Sequence, residues 1–440
     1  MTSPDRTKAP AIHPLPVMPL PAAVRTPLAG GIEAVSVADD SQPVSRITIV
    51  WPVGQADVPD CNTLALMMPM LSEGTATRSG AEIADILEFN GAWMKTDIGR
   101  HTSIVTLFLL NKSAERVLPL LADILLHPIF PAEALERLRE KQIAKVRLRE
   151  HKVKELARQL NNRMIFGVGA PAARITSAEG LKSVGREDLV RLHRRLILST
   201  RPTLYLAGAV NGKIEEMAIG MMDALATPAD RPIAANVVPA PAMQTSTRCV
   251  EIVADSLQTA VRMAMPTISA THPDFYSLQT AVFALGGYFG SRLMSNIRED
   301  KGYTYGISAM MLSTREASDI IIHCETDNRF AESVISETEV EIARLASRPM
   351  GEEELEIVRH TAHSGLLATL DSPFTIIDNY IVEQAVGIPA ASGFIQHQES
   401  VLAATADSIQ AMAEKYLLNA PRAIALAGNP TSTAPVSQEH

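Results

Sequence analysis

With 440 residues, the chain is long enough for more than one domain, each with its own core. A composition of 46% hydrophobic and 20% charged residues is that of a soluble globular protein, and no apolar run approaches the roughly 18 residues that a membrane-crossing helix needs. The formal charge of -9 argues against nucleic acid as the main partner, because phosphate binding draws on a surplus of lysine and arginine.

Residues 1–22 hold several prolines, two early positive charges and no continuous apolar core, so they fail the secretory pattern and read as a flexible leader. Three scattered cysteines, Cys61, Cys249 and Cys324, fit a reduced compartment, and a cytoplasmic location is expected. The runs Ser45 to Trp51, Thr102 to Leu110 and Arg201 to Val210 carry the β-branched and aromatic residues of strands. Between the first two, Ser79-Gly-Ala-Glu82 is a capping box, Ile83, Ile86 and Leu87 share a helical face, and Gly91 supplies a stop. Residues 131–163 form one longer helical stretch, with an imperfect apolar stripe through Leu135, Leu138, Ile143, Val146, Val153, Leu156 and Leu160. The same stretch is basic, with ten Lys and Arg against three Glu between Arg137 and Arg163. Such a run usually marks a solvated face, and attraction of acidic peptides is the sharper alternative.

The chain rhymes with itself. Gly208 and Gly428, and Leu135 and Leu355, are 220 residues apart, while Asp60 and Asp274, and Arg78 and Arg292, are 214 apart. One change of loop length in a duplication gives that pattern. Residues 227–247 contain four prolines and no hydrophobic period, the composition of a linker. The expected organisation is a leader (1–22), a first domain (23–226), the linker (227–247), a second domain (248–432) and a tail (433–440). The fold class is α+β, with two duplicated α/β sandwich domains, each a mainly antiparallel sheet covered by helices on one side.

Two further features are weak. Gly286, Gly287 and Gly290 precede no Lys-Ser/Thr and no dinucleotide fingerprint, so turns and close packing explain them. His360 and His363 stand at i, i+3 on a predicted helix, but no carboxylate completes a metal shell. His101, His127 and His193 are isolated and read as structural.

The run Glu73-Gly-Thr-Ala-Thr-Arg-Ser-Gly-Ala-Glu82 and its continuation to Ala92, with Leu121 to Phe130 and Gly302-Tyr-Thr-Tyr-Gly306, resembles the insulinase-pitrilysin family of inverted-motif zinc peptidases, over about residues 45–430. The family is similarly duplicated, and the resemblance implies half of a clamshell chamber. Active members carry His-x-x-Glu-His on the helix before this run, where two histidines and a distal glutamate hold zinc and the motif glutamate activates water. Here those three positions fall on Ala65, Met68 and Pro69, and Lys145 falls near the distal one, so no metal ligand set is expected in this chain. Pro69 should also kink or shorten its helix.

In small bacterial relatives the zinc-less subunit lends an arginine and a tyrosine to its partner's cleft, and the matching residues here are Arg298 and Tyr305. The resemblance thus implies a non-catalytic subunit of a heterodimeric zinc metallopeptidase, inactive alone, with zinc in the partner and a peptide as substrate. The alternatives are a peptide-binding or assembly scaffold, possibly homodimeric, and a peptidase with its metal moved to His360 and His363.

Overall fold

The computed structural model describes residue 7 and residues 16–234, 246–314, 317–389 and 392–430. The N-terminal half contributes β1 (Val24–Pro27), β2 (Glu33–Ala38), β3 (Val44–Trp51), β4 (Trp93–Ile98), β5 (Ser103–Leu110) and β6 (Thr203–Gly208), in the sheet order β1-β2-β6-β3-β5-β4. The C-terminal half contributes β7 (Thr247–Ile252), β8 (Gln258–Thr267), β9 (Thr304–Ser313), β10 (Ser318–Asp327) and β11 (Ala423–Gly428), in the order β7-β11-β8-β10-β9. The two orders are the same once the extra edge strand β1 is set aside. Each sheet has one parallel pair, β2 with β6 and β7 with β11, and is otherwise antiparallel.

The first half carries α1 (Cys61–Met70), α2 (Gly80–Phe89), α3 (Ala114–Leu126), α4 (Ala132–Glu150), α5 (Val153–Phe166), α6 (Ala178–Ser183), α7 (Arg186–Leu196) and α8 (Gly212–Asp223). The second carries α9 (Phe275–Gly286), α10 (Ala331–Ser347), α11 (Glu352–Ala368), α12 (Pro373–Val386), α13 (Ser392–Ala403) and α14 (Ala406–Ala413), with a π-helical segment over Met294–Asp300. The internal repeat is visible in these elements. Asp60 and Asp274 stand at the N-caps of α1 and α9, and α4 and α5 begin 220 residues before α11 and α12. Gly208 and Gly428 close β6 and β11 with φ of +98° and +147°. A side chain at Gly208 would also run into the Val44 carbonyl, which accounts for glycine there.

Each sheet packs one face on helices of its own half. Ile47, Ile49, Val105, Leu107, Leu204 and Leu206 meet α1, α3, α4 and α7 in one core, and Val261, Met263, Ile320, Ile322 and Leu426 meet α9, α10, α11 and α14 in the other. The opposite faces are covered by an exchange. α12 lays Ile376, Ile377 and Tyr380 on Val35, Val37, Tyr205 and Ala207 of the first sheet. α5 lays Val153, Leu156, Ala157 and Ile165 on Ala260, Ala264, Ile321, Ala423 and Ala427 of the second.

Three expectations need correction, the first being the one-sided cover, since α12 and α5 cross over to cover the second face of each sheet. The stretch 131–163 is two helices, broken at His151 and Lys152, because Leu135, Leu138 and Val146 serve the first core while Val153 and Leu156 serve the exchanged contact. One straight helix cannot present both faces, and the stripe looked imperfect for that reason. Residues 16–22 of the expected leader are held in place. Met18 N donates to Gln398 Oε1 (2.9 Å), Gln398 Nε2 donates back to Met18 O (2.7 Å), Tyr380 Oη donates to Pro21 O (2.8 Å), and Leu20 is buried beside Tyr380 and Phe394. Residues 235–245 of the expected linker and the tail 433–440 lie outside the described residues. No described helix is long and apolar enough to cross a membrane.

Candidate functional site

Helix α1 is built firmly at its start. Asp60 accepts hydrogen bonds from Asn62 N (3.1 Å) and Thr63 N (3.0 Å), and from the side chains of both residues (2.7 Å each). Burial opposes ionisation of Asp60, but the hydrogen bonds from Thr63 and Asn62 outweigh it and hold the carboxyl below its ordinary range. The helix runs through Pro69 and ends one residue later, at Met70, whereas its counterpart α9 extends over 12 residues. Leu64, Leu66, Met67, Met68 and Met70 are all fully buried in the first core. Ala65 and Pro69 are half-buried and offer no donor atom, and Lys145 is exposed on α4. Among the described residues, no group of three or more His, Cys, Asp or Glu could hold a metal ion.

The run that follows α1 does structural work. Thr75 Oγ1 (2.6 Å), Thr77 Oγ1 (2.7 Å) and Arg78 Nη1 (3.3 Å) all donate to Asp123 Oδ2 on α3, and Ser79 and Glu82 form the reciprocal capping box of α2. Burial works against the Asp123 carboxylate, yet Thr75, Thr77 and His127 pull it below its ordinary range. The basic stretch is likewise partly committed. Arg137 pairs with Glu73 (2.5 Å), Arg139 binds the Leu181 and Val184 carbonyls, and Arg149 binds Thr176 Oγ1 (3.1 Å).

The histidines are dispersed. His360 is exposed and His363 fully buried, with Nε2 3.1 Å from Gln398 Oε1, so α11 does not present them as a pair. His101 lies 3.0 Å from Asp57, His127 3.2 Å from Asp123, and His193 2.7 Å from the Leu125 carbonyl. Gly286 lies where a Cβ would stand 2.6 Å from Ala309 N, and its absence permits α9 to press on β9.

Arg298 and Tyr305 flank one corner of the second half. Arg298 lies on the π-helical segment, its guanidinium 4.5 Å from the centre of the Phe289 ring and 3.8 Å from Glu299 Oε1. The corner is tied by Gly302 N donating to Arg298 O (3.2 Å) and Tyr303 N donating to Ile297 O (3.0 Å), with Gly302 at φ +63°. Strand β9 then pairs Thr304 with Thr326 and Ile307 with Cys324, so Tyr305 and Gly306 together face Glu325. That is a β-bulge, braced by Thr304 Oγ1, which donates to Glu325 O (2.6 Å) and accepts from Gly306 N (3.2 Å). In a regular strand Tyr305 would share the core face of Ile307 and Ala309. The bulge turns it out, and it is 93% exposed. Sequence reading singled out neither the bulge nor Phe289, which is 64% exposed; the glycines on either side of the Tyr288-Phe289 pair were its only signal.

Fold and site together define a duplicated two-sheet protein whose first helix, α1, is a buried core helix with no His or Glu in it. Residues 34–167 match the family model described as "Insulinase (Peptidase family M16)", residues 183–361 match "Peptidase M16 inactive domain", and the chain belongs to this family. A Mycobacterium leprae protein named an uncharacterized zinc protease is 22% identical over 363 residues, 79% of each chain. A Helicobacter pylori protein named a non-peptidase homolog is 24% identical over 267 residues, covering 58% of this chain and 59% of its own. Among solved structures, the peptidase M16 inactive domain from Pseudomonas fluorescens superposes with a TM-score of 0.84 at 20% identity, over 94% of this chain and all of that one.

Proposed function

We propose that this chain is the zinc-less subunit of a heterodimeric insulinase-like metallopeptidase, which binds peptide and lends Arg298 and Tyr305 to the active site of a partner carrying His-x-x-Glu-His. The observation that carries this reading is the bulge. A tyrosine turned out of its core face lies on the same corner as a guanidinium whose ion pair is long, at 3.8 Å. A guanidinium forks onto peptide carbonyls, and a phenol donates to the oxyanion formed when water attacks a scissile carbonyl. The degenerate positions Ala65, Met68, Pro69 and Lys145 leave the zinc and the activated water to the partner. The Helicobacter relative named a non-peptidase homolog supports the part of this reading that has the chain inactive by itself.

The test is reconstitution. The pure chain should contain no stoichiometric zinc and cut no peptide, and addition of a zinc-motif partner from the same cells should restore cleavage that Arg298→Ala or Tyr305→Phe lowers by roughly a hundredfold. Mutant complexes of full activity would remove the two residues from the site. A native chain that brings down no zinc-motif partner would favour the scaffold.

A further inference from the structure

The second sheet turns a charged row toward α5. Arg262 on β8 stands directly opposite His323 on β10, and His323 stands opposite Ser308 on β9, with Nε2 3.1 Å from Ser308 Oγ. Arg262 Nε donates to Asn161 Oδ1 on α5 (3.3 Å), but among the described residues the guanidinium forms no ion pair. Lys154, in the first turn of α5, forms none either. Arg158 on α5 is occupied by Glu155, at 2.8 Å and 3.1 Å. The buried acid on this face is Asp319, shared electrostatically between Arg262 and Arg100. Arg262, Lys154, Arg158 and Arg100 outnumber Asp319, Glu155 and Glu325 in this region, so positive charge is in excess around His323. Burial, then Arg262 and Lys154, push its imidazole down to about 4.

A cavity of about 110 Å³ opens at this row, with Lys154, Ala157, Arg262, Gly306, His323 and Glu325 in its wall. Gly306 is the second residue of the bulge that turns Tyr305 outward. A Cβ on Gly306 would meet nothing within 4 Å, so packing inside the chain does not require a glycine there. The space suits a carboxylate with its adjoining carbon, and Arg262 and Lys154, which among the described residues have no carboxylate at ion-pair distance, gain from such a ligand.

We infer that this cavity is a carboxylate subsite, in which Arg262 and Lys154 seat the acidic side chain or C-terminal carboxylate of a peptide whose backbone passes Tyr305. The inference rests on the peptide-binding reading above and adds a substrate class to it. Guanidinium and ammonium donate to the two oxygens, His323 stays neutral on the floor, and Gly306 leaves the entrance clear.

The experiment follows the His323 ring signal by NMR in the full chain, assigned with His323→Gln. Three blocked compounds are titrated: N-acetyl-aspartyl amide, N-acetylglycine and N-acetyl-asparaginyl amide. At least one of the two carboxylates should move the His323 signal and raise its titration midpoint, and which one does so distinguishes side-chain from terminal recognition. The asparaginyl compound should leave the signal in place. Arg262→Met should weaken the response roughly tenfold, and the exposed Lys154→Met severalfold, through loss of charge-assisted hydrogen bonds. The subsite is overturned if neither carboxylate moves His323, or if the asparaginyl compound moves it equally. Small carboxylates that bind here while longer peptides carrying the same group do not bind the chain would sink the peptide-binding reading and leave the subsite standing.

Discussion

Arg46 on β3 of the first sheet grips Asp378 on α12 of the second half through two hydrogen bonds, Nη2 to Oδ1 at 2.6 Å and Nη1 to Oδ2 at 3.2 Å. The Arg46 side chain is 8% exposed and the Asp378 side chain 54%. Asp378→Ala leaves a guanidinium beside the rings of Phe108 and Phe374, each 5.8 Å from it. A fully buried broken pair costs about 3–5 kcal/mol, and exposure of Asp378 reduces this to about 2 kcal/mol. Urea denaturation should show that loss, and Arg46→Met combined with Asp378→Ala should recover most of it. A single variant as stable as the parent would mean that the pair is solvated.

The exchange of α5 and α12 makes each sheet depend on the other half. Residues 16–234 expressed alone would leave Val35, Val37 and Tyr205 without Ile376, Ile377 and Tyr380. Apolar faces of this kind drive association at about 25 cal/mol per Å² buried. The two halves, 16–234 and 246–430, encoded as separate chains should therefore co-elute as a single complex in size-exclusion chromatography. Each half alone should bind a hydrophobic dye and aggregate. Well-behaved isolated halves would show that the exchanged helices contribute little.

The duplicated plan could be read from the sequence because it rests on residues with local jobs. Asp60 and Asp274 mark helix starts, Gly208 and Gly428 mark strand ends, and both pairs survive as identities at nearly constant spacing. The exchange could not be read, since Val153 and Ile376 look like any buried helical residue until the partner sheet is known. The exposure of Tyr305 was hidden for a similar reason. It depends on the pairing register between β9 and β10, with two residues facing Glu325, and no local pattern reports that. That positions 65, 68 and 69 hold Ala, Met and Pro, with no His or Glu among them, needs only the residue identities.

Buried Asp319 and half-buried His397 pull the pH dependence in opposite directions. Burial raises Asp319 to about 6, against the attraction of Arg100 and Arg262. The protonated acid is therefore favoured in the fold, and its cost at pH 7 is relieved as pH falls from about 6 toward 4, by roughly 2–3 kcal/mol at most. Burial pushes His397 down to about 4, so its contribution is full above about 6.5 and is lost as pH falls below that value. The Asp319→Asn variant lacks the acid-side gain. Relative to it, the parent should gain stability between pH 7 and pH 4, while His397→Gln should lose less than the parent over the same range. Thermal melts across that range check both, and parallel curves would refute the assignments.

Met68 tests whether the metal helix could be revived one residue at a time. Its side chain is fully buried in the first core with Leu64, Leu66, Met67 and Leu71, at the position that the proposed function assigns to a lost activating glutamate. Met68→Glu places an unpaired carboxylate there, and either its charge or its forced protonation costs several kcal/mol. Met68→Leu keeps volume and polarity and should cost less than about 1.5 kcal/mol. Unfolding free energies should therefore separate the two variants by more than about 2 kcal/mol, with Met68→Glu losing at least about 3 kcal/mol. Equal stabilities would mean that α1 opens to water at Met68 and that the side chain is not held in the core.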